Sequence, residues 1–415
     1  MALDDPLERE FAAVRRWLSI VGIGEDGADG LSPVARGLIA DAELVFGGKR
    51  HLQLAGGLIR GVAQAWPSPF EQGVSEVLAA RGRSVCVLAS GDPFFYGVGS
   101  VLLRHVDAAE TLTVPAPSAF SLAAARLGWA LAETVILSLH ARALDLIRPH
   151  LQPGARILAL TSDGKGPAAL AQLLAENGFG RSRLFVLEAL GGPRERVRET
   201  AAEGFALAQI DPLNTVAVEV AAAPGARVLA RAPGLADALF EHDGQITKRE
   251  IRAVTLSSLS PRRGELLWDI GAGSGSVAVE WMLADPSMRA VAIEARPDRA
   301  ARIRRNAAAF GVPGLTVIEG EAPGALDGLS PPDAVFIGGG ARIAGVIKTA
   351  IGALRNGGRL VVNGVTLATE SLLNGHYARL GGTLTRITIA RAEPLGGTIG
   401  WRPAMPVTQW SWTKS

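Results

Sequence analysis

A glycine-rich loop between a strand pattern and a helix pattern restricts the fold of this chain most. The stretch LLWDIGAGSGSVAVE, residues 266–280, is an apolar run followed by Gly271, Gly273 and Gly275 and then by helical spacing. Glycines at such a turn let the backbone approach a ligand closely and aim helix N–H groups at it. An acidic residue at the end of the next strand can hold ribose hydroxyls, and Glu294 ends RAVAIEA about twenty residues later. The pattern predicts a nucleotide-type cofactor site on an α/β fold.

The spacing of the glycines separates two cofactor classes. Dinucleotide loops read G-x-G-x-x-G, and this chain has Ser276 where the last glycine would stand. The sequence WDIGAGSGS instead resembles the first motif of class I S-adenosylmethionine methyltransferases, which have a Rossmann-like fold. The resemblance implies cofactor contacts by Thr247, Gly271, Ala272, Gly273, Ser274, Gly275, Glu294 and Ala322, with Glu294 on the ribose.

Length and strand patterns predict more than one domain. At roughly 150 residues per domain, 415 residues allow two or three units. The segment 222–244 is rich in Pro, Gly and Ala and interrupts the alternation of strands and helices, which places a boundary between domains 1–239 and 240–415. The second domain alternates strands with helices and predicts a doubly wound, mainly parallel sheet. The first shows two series of strands, which predict two lobes at about 17–115 and 116–225, a cleft between them and then a linker.

Composition and the ends of the chain bear on location and partners. The single cysteine, Cys86, lies in the apolar run SVCVLAS, so no disulfide can form within the chain. The N-terminal stretch MALDDPLEREF is acidic and lacks an apolar signal region, and no run of about eighteen apolar residues occurs. We expect a soluble cytoplasmic protein without a membrane partner.

A second motif, LASGDPFFYGVG, suggests a second cofactor site. Gly91, Asp92 and Pro93 close a buried strand in a sharp turn and leave backbone groups free at its carboxyl end. The pattern G-D-P-x-x-Y-G resembles the tetrapyrrole methylase family, two-lobed enzymes that bind S-adenosylmethionine in the cleft between the lobes. VGIGEDG, FGGKR, PAPSAFSLAAARLG, SLHAR and EALGGPRERV extend the resemblance. It implies contacts by Gly22, Gly91, Asp92, Ser118 and Ala119, and hence two S-adenosylmethionine sites per chain.

The two halves together resemble one family of fused enzymes. ITKREIRA, EGEAPGAL, FIGGG and VVNGVTLATE accompany the glycine loop in the C-terminal half. The fusion in this order resembles the bifunctional precorrin-6Y C(5,15)-methyltransferase (decarboxylating) family of cobalamin biosynthesis. The resemblance implies methylation of a precorrin at meso carbons 5 and 15 and loss of carbon dioxide from the ring C acetate. In the reaction that the resemblance implies, a macrocycle carbon is the nucleophile, so no metal site or activated side chain is predicted. A homo-oligomer is expected.

Some roles and alternatives stay open at this point. His140, in SLHAR, is either structural or a catalytic acid/base or substrate contact. Lys248, Arg249 and Arg252 either contact substrate carboxylates or form a solvated helix face. An NAD-linked corrinoid reductase would use the Gly271 loop, but its third glycine position is missing. An RNA methyltransferase would need a basic face, and the net charge of +2 gives little support, so no nucleic-acid partner is expected.

Overall fold

The computed structural model describes residues 16–415, so the acidic N-terminal stretch lies outside the described part. These residues form two compact units. One runs to Arg142 and resumes over Gln152–Arg227, and the other comprises Ala143–Leu151 and Val228–Ser415. The break therefore comes after Arg227 rather than after residue 239. Leu229, Leu235 and Phe240 explain the difference, because they are buried in the core of the second unit.

The first unit contains two sheets, one in each predicted lobe. The first sheet, with its helices, consists of β1 (Leu18–Ile23), α1 (Pro33–Ala40), β2 (Leu44–Gly47), α2 (Lys49–Ala55), β3 (Val62–Ala65), α3 (Phe70–Ala79), β4 (Val85–Ser90), α4 (Gly99–Leu102) and β5 (Thr111–Val114); the next helix, α5 (Ala119–Leu127), packs on the second sheet. Its order is β3-β2-β4-β1-β5 and all its pairs are parallel. Cys86 is buried in β4, and burial raises the pKa of its thiol to about 12.

The second sheet of this unit is mixed. It consists of β6 (Thr134–Ser138), β7 (Arg156–Leu160), α6 (Gly166–Glu176), β8 (Arg183–Glu188), β9 (Arg196–Ala201) and β10 (Asn214–Glu219). The order is β6-β7-β10-β8-β9, with β6 and β7 parallel and the other pairs antiparallel. Neighbouring antiparallel strands can be joined by a short hairpin, whereas parallel strands need a longer crossover connection.

The second unit is built on a seven-stranded sheet. Its elements are α7 (Arg249–Leu259), β11 (Leu266–Ile270), α8 (Ser276–Leu283), β12 (Arg289–Glu294), α9 (Pro297–Ala309), β13 (Thr316–Glu319), β14 (Ala334–Ile337), α10 (Val346–Ala353), β15 (Arg359–Gly364), α11 (Leu367–Leu380), β16 (Thr383–Ile387), β17 (Ala390–Leu395), β18 (Thr398–Pro403) and β19 (Val407–Thr413). The order is β13-β12-β11-β14-β15-β19-β16, and β17 and β18 form a separate ribbon. Within the seven-stranded sheet only the pairs made by β19 are antiparallel, so the predicted mainly parallel sheet is confirmed.

Both faces of this sheet are buried. Leu267 packs on one face with residues of α7, α8 and α9, and the adjacent Trp268 packs on the other with residues of α10 and α11. A parallel strand covered on both faces needs a continuous apolar run, which explains the sequence LLWDI. The segment Ala143–Leu151 also packs in this unit, and a Cβ on Gly311 would lie 2.7 Å from the Asp145 carbonyl oxygen. In residues 16–415 no helix is long and apolar enough to cross a membrane.

Candidate functional site

The glycine loop lies where the strand order of the large sheet reverses. Strands β11, β12 and β13 follow one another outward in one direction, and β14 and β15 continue on the other side of β11. Ligands of open α/β sheets bind at the carboxyl ends of the strands that flank such a reversal. Gly271 follows β11 with φ 69°, and a Cβ there would lie 2.8 Å from the Gly339 carbonyl oxygen after β14. Only glycine fits this approach of the two loops.

The structure brings Glu294 to the glycine loop, as the spacing implied. The residue is 6% exposed, its Oε2 accepts from the Gly273 N–H at 2.9 Å, and its Oε1 accepts from the Arg296 N–H at 3.1 Å. The carboxylate is thus fixed at the end of β12, and each oxygen keeps a further lone pair for a ligand.

A cavity of about 600 Å³ opens beside this pair. The predicted residues that line it are Thr247, Gly271, Ala272, Gly273, Glu294 and Ala322. Ser274 and Gly275 are not part of the lining. Gly275 precedes α8 with φ 74°, and a Cβ there would lie 2.7 Å from Ile303 Cγ2, so it serves the close packing of the loop on α9.

Polar atoms under the loop lack protein partners within the described chain. Ser274 is buried and its Oγ has no hydrogen bond there, nor has Asp269 Oδ1. Burial raises the pKa of Asp269 to about 7; the Ala278 N–H bond to Oδ2 opposes this shift and the Glu294 charge adds to it. Asn363, which the sequence analysis did not single out, also lines the cavity. Its amide is held by Thr255 Oγ1 at 3.0 Å and Gln409 Nε2 at 2.9 Å.

The three basic residues behind Thr247 have different surroundings. Lys248 lines the cavity and its Nζ lies 3.9 Å from Asp237. Arg249 is exposed and outside the lining. A substrate contact by Arg252 is contradicted, because its side chain is 0% exposed and its guanidinium is fully engaged. Nε donates to Glu280 at 2.5 Å and Nη1 to Asp237 at 3.1 Å, while the Thr247 and Leu235 carbonyl oxygens accept further bonds.

Arg252 therefore organises the cavity wall from behind. The Gly234 and Leu235 N–H groups also donate to Glu280, at 2.6 and 3.0 Å. The helical spacing of Arg252, Leu256 and Leu259 already places Arg252 on the apolar face of α7, which is the signal that could have identified this role.

The predicted residues of the first unit converge at the carboxyl ends of β1 and β4. A Cβ on Gly22 would lie 1.9 Å from the Gly91 carbonyl oxygen, which itself accepts from the Ala116 N–H at 3.1 Å. Asp92 Oδ1 accepts from the Phe94 N–H at 2.8 Å. Ser118 caps α5 by accepting from the Ser121 N–H, and Ala119 is the first residue of that helix. Two loops and one helix start thus meet at one point. The Gly91 N–H also donates to the Ile23 carbonyl oxygen at 3.1 Å, so both backbone polar groups of Gly91 have protein partners, contrary to the expectation from the sequence.

Other motif residues of this unit form an ionic cluster that sequence reasoning missed. Glu25 pairs with Arg50 and lies 3.5 Å from Arg194, and Arg50 Nη2 donates to Ser90 Oγ at 2.9 Å. These residues come from the GIGEDG, FGGKR, GGPRER and LASGDP segments, so the motifs meet in space. His140 is exposed in the loop after β6, with Nδ1 3.4 Å from the Thr161 carbonyl oxygen. Among residues 16–415, no three His, Cys, Asp or Glu side chains are grouped to hold a metal.

Comparison with known proteins matches each half to a family. Residues 18–206 match the tetrapyrrole (corrin/porphyrin) methylases, and residues 238–414 match the precorrin methyltransferase domain. The precorrin-6Y C(5,15)-methyltransferase [decarboxylating] of Sinorhizobium sp is 62% identical over 410 residues, which cover 99% of each chain. The Mycobacterium tuberculosis protein of the same name is 42% identical over 95% of this chain and 99% of its own. The cobalt-precorrin-6B C(15)-methyltransferase (decarboxylating) of Salmonella typhimurium is 34% identical over 166 residues, 39% of this chain and 85% of its own.

Proposed function

The chain belongs to the precorrin-6Y C(5,15)-methyltransferase (decarboxylating) family, and we propose that each of its two halves holds one S-adenosylmethionine and performs one of the two methylations. The protein is an S-adenosylmethionine-dependent methyltransferase of cobalamin biosynthesis that methylates a precorrin and decarboxylates it. The relatives give no support to an RNA methyltransferase or an NAD-linked reductase.

The contact between Glu294 and Gly273 is the observation that carries the C-terminal cofactor site. It fixes an acceptor for two ribose hydroxyls next to a loop whose backbone is open to a ligand. The cavity of about 600 Å³ has the size of small-molecule sites. Thr247, Ala272 and Ala322 supply the walls, and the Ser274 Oγ, buried outside the lining, has hydrogen-bonding capacity left for a water.

The N-terminal cofactor site rests on the convergence of Gly22, Gly91 and Ala116. Side chains are excluded at the two glycines because the loops approach each other closely there, and this close approach brings the predicted residues together. Asp92 and Ser118 hold the two loops in shape, and Ala119 opens the helix that faces this point.

Bound S-adenosylmethionine supplies an electrophilic methyl group on a sulfonium. The residues around it orient the macrocycle and keep the reacting atoms at near-attack distance, which accounts for a large part of a rate enhancement of this kind. Lys248, which lines the cavity, holds a substrate carboxylate. Arg252 does not have this role because its side chain is buried, and Arg249 lies outside the lining. His140 remains a candidate acid/base or substrate contact of the N-terminal half.

We assign one methylation together with the decarboxylation to the C-terminal domain. The Salmonella relative, whose name joins methylation at C(15) to decarboxylation, matches over 166 residues, about the length of that domain. Loss of carbon dioxide releases electrons into the conjugated ring and enriches the neighbouring meso carbon, so one cavity can serve both steps. The other methylation falls to the N-terminal lobes.

Three further properties are part of the proposal. The enzyme acts in the cytoplasm, on a small molecule without nucleic acid, and as a homo-oligomer. The net charge of +2 and the single buried cysteine support the first two. Exposed Leu395, Ile399 and Trp401 on the β17–β18 ribbon fit a contact between copies.

Titration calorimetry of the full-length protein with S-adenosylmethionine tests the central part. Two sites per chain are expected, and Glu294→Ala and Asp92→Ala should each weaken a different one. A single site in a folded wild-type protein, or loss of the same site in both variants, would contradict the proposal.

A further inference from the structure

Three consecutive aromatic residues are exposed directly after the Gly-Asp-Pro turn of the first unit. Phe94, Phe95 and Tyr96 have relative exposures of 43%, 39% and 46%. The Phe95 ring stacks on the Tyr96 ring with centroids 5.3 Å apart, and it also contacts Phe120 at 5.0 Å. Contiguous exposed apolar surface on a soluble protein marks interaction sites and ligand-binding grooves. We call Phe94, Phe95 and Tyr96 the aromatic platform.

A cation without a carboxylate partner lies over this platform. The Arg142 guanidinium is 5.6 Å from the centroid of the Tyr96 ring. Within residues 16–415, no carboxylate lies within ion-pair distance of it, whereas Arg50 and Arg194 of the same unit are both engaged by Glu25. A guanidinium held by a ring face keeps its in-plane N–H donors available, and these match a carboxylate in a bidentate manner.

The two loops that carry these groups are both held in an unfavourable backbone conformation. Tyr96 has φ 58° and Ala141, the neighbour of Arg142, has φ 54°. This left-handed region costs a non-glycine residue of order 1 kcal/mol or more, and such residues concentrate at ligand sites. The Ala141 N–H donates to Ser162 Oγ at 2.9 Å, which helps to hold the strained loop. The backbone that carries Tyr96 and Arg142 is therefore held in a defined conformation in advance of binding.

The platform adjoins the loops assigned above to the N-terminal cofactor. Phe94 donates its N–H to Asp92, and Phe120, which contacts Phe95 and Tyr96, directly follows Ala119. A methyl acceptor must come within about 3–3.5 Å of the methyl carbon, so its binding surface has to lie beside the cofactor. A conjugated macrocycle can stack on an aromatic surface, and the carboxylates of its acetate and propionate side chains can pair with cationic side chains.

We propose that the aromatic platform and Arg142 bind the precorrin at the N-terminal site, with the ring stacked on Phe95 and Tyr96 and a peripheral carboxylate held by Arg142. This inference rests on the proposed function of the N-terminal half. Tyr96 and Arg142 are specificity-determining residues that act on substrate binding and not on the transferred methyl group.

The test uses the full-length protein, the family's precorrin substrate and S-adenosylmethionine, with products resolved by mass. The variants are Arg142→Gln, Arg142→Lys and Tyr96→Asn. Asparagine is chosen at position 96 because it lacks the aromatic ring and tolerates the positive φ. Arg104→Gln is the matched control, because Arg104 is an exposed arginine of the same unit that makes no ring contact with the platform. Asp92→Ala, in the N-terminal cofactor loop, is measured in parallel.

For the methylation that occurs without loss of carbon dioxide, Arg142→Gln should raise KM about 10- to 100-fold, the range for one charge-assisted contact. The kcat and the affinity for S-adenosylmethionine should change little. Arg142→Lys should recover part of the loss, Tyr96→Asn should raise KM, and Arg104→Gln should match the wild type.

Two other outcomes separate the inference from its premise. If Asp92→Ala loses that methylation while Arg142→Gln keeps a KM within twofold of Arg104→Gln, the platform is not the substrate site. If Asp92→Ala and Arg142→Gln both leave the two methylations intact, the proposed function of the N-terminal half fails, and the inference with it.

Discussion

Glu294 is the residue on which the C-terminal site depends most. Both of its oxygens are oriented by backbone N–H groups, one in the glycine loop and one at the start of α9. A ligand that bonds to it therefore loses little free energy in ordering the side chain. The sequence could predict this contact, because consecutive parallel strands place their carboxyl ends side by side and Glu294 ends the strand after the glycines.

Glu294→Gln should weaken S-adenosylmethionine binding at the C-terminal site about 10- to 100-fold. The amide keeps the shape of the side chain, but charge-assisted bonds to the ribose, worth about 1.5–3 kcal/mol, are lost. Glu319→Gln is the matched control, since Glu319 pairs with Glu294 in register on β13 but is exposed and outside the cavity lining. Calorimetric Kd values that agree within twofold for the two variants would remove Glu294 from this role.

Asp269 should give the C-terminal domain a measurable pH dependence. Its pKa is raised to about 7 in the folded state, so the folded protein binds its proton more tightly than the unfolded chain does. The stability that this group contributes is therefore present at low pH and is lost as the pH rises from about 4 to about 7.

Asp269→Asn, which stays neutral, should gain stability relative to the wild type over that range by up to about 1.4 kcal/mol per pH unit. Above pH 7 the difference should be constant. Thermal unfolding of both proteins from pH 4 to 9 measures it. A difference that does not vary with pH would show that Asp269 keeps an ordinary pKa.

Among the secondary-structure elements, α7 shows what the sequence could and could not predict. Its apolar spacing predicts which face is buried, and Arg252 lies on that face with Leu256 and Leu259. The positive charge of Arg252 nevertheless suggested a contact with the substrate. The carboxylates that balance the Arg252 charge are Glu280 on α8 and Asp237, and two backbone carbonyl groups accept further hydrogen bonds from it. Only the tertiary structure brings these groups together.

Arg252→Met should destabilise the C-terminal domain by about 3–5 kcal/mol, because it leaves the buried Glu280 without its ion pair. Arg249→Met, an exposed change on the same helix, should stay within about 0.5 kcal/mol of the wild type. Chemical denaturation, monitored at the unfolding transition of the C-terminal domain, compares the free energies of unfolding of the two variants. A stable Arg252→Met protein with a raised KM for the macrocycle would restore the original substrate role.

At the scale of the whole molecule, the sequence predicted the three sheets and the order of the domains. The alternation of apolar strands and helices is a property of each segment, so it can be read without tertiary information. Which residues belong to which compact unit could not be predicted in this way. Residues 143–151 lie within the second predicted lobe but pack in the C-terminal unit, where Ile147 and Leu151 are buried. This depends on contacts with Gly311, which is distant in the sequence.

The same segment affects how the division of labour should be tested. A C-terminal fragment that begins at residue 228 would lack Ala143–Leu151 and expose the surface it covers. Full-length variants such as Asp92→Ala and Glu294→Ala avoid this problem, because they keep Ala143–Leu151 in the chain.

The most direct measurement is therefore the mass of the product that full-length Asp92→Ala makes from precorrin and S-adenosylmethionine, with Glu294→Ala in parallel. Asp92→Ala should yield a product heavier by one methyl group and lighter by one carbon dioxide, made by the C-terminal site alone. Glu294→Ala should yield a product that keeps the acetate carboxyl group. An Asp92→Ala product that gains a methyl group and retains its carboxyl group would contradict the assignment of decarboxylation to the C-terminal domain.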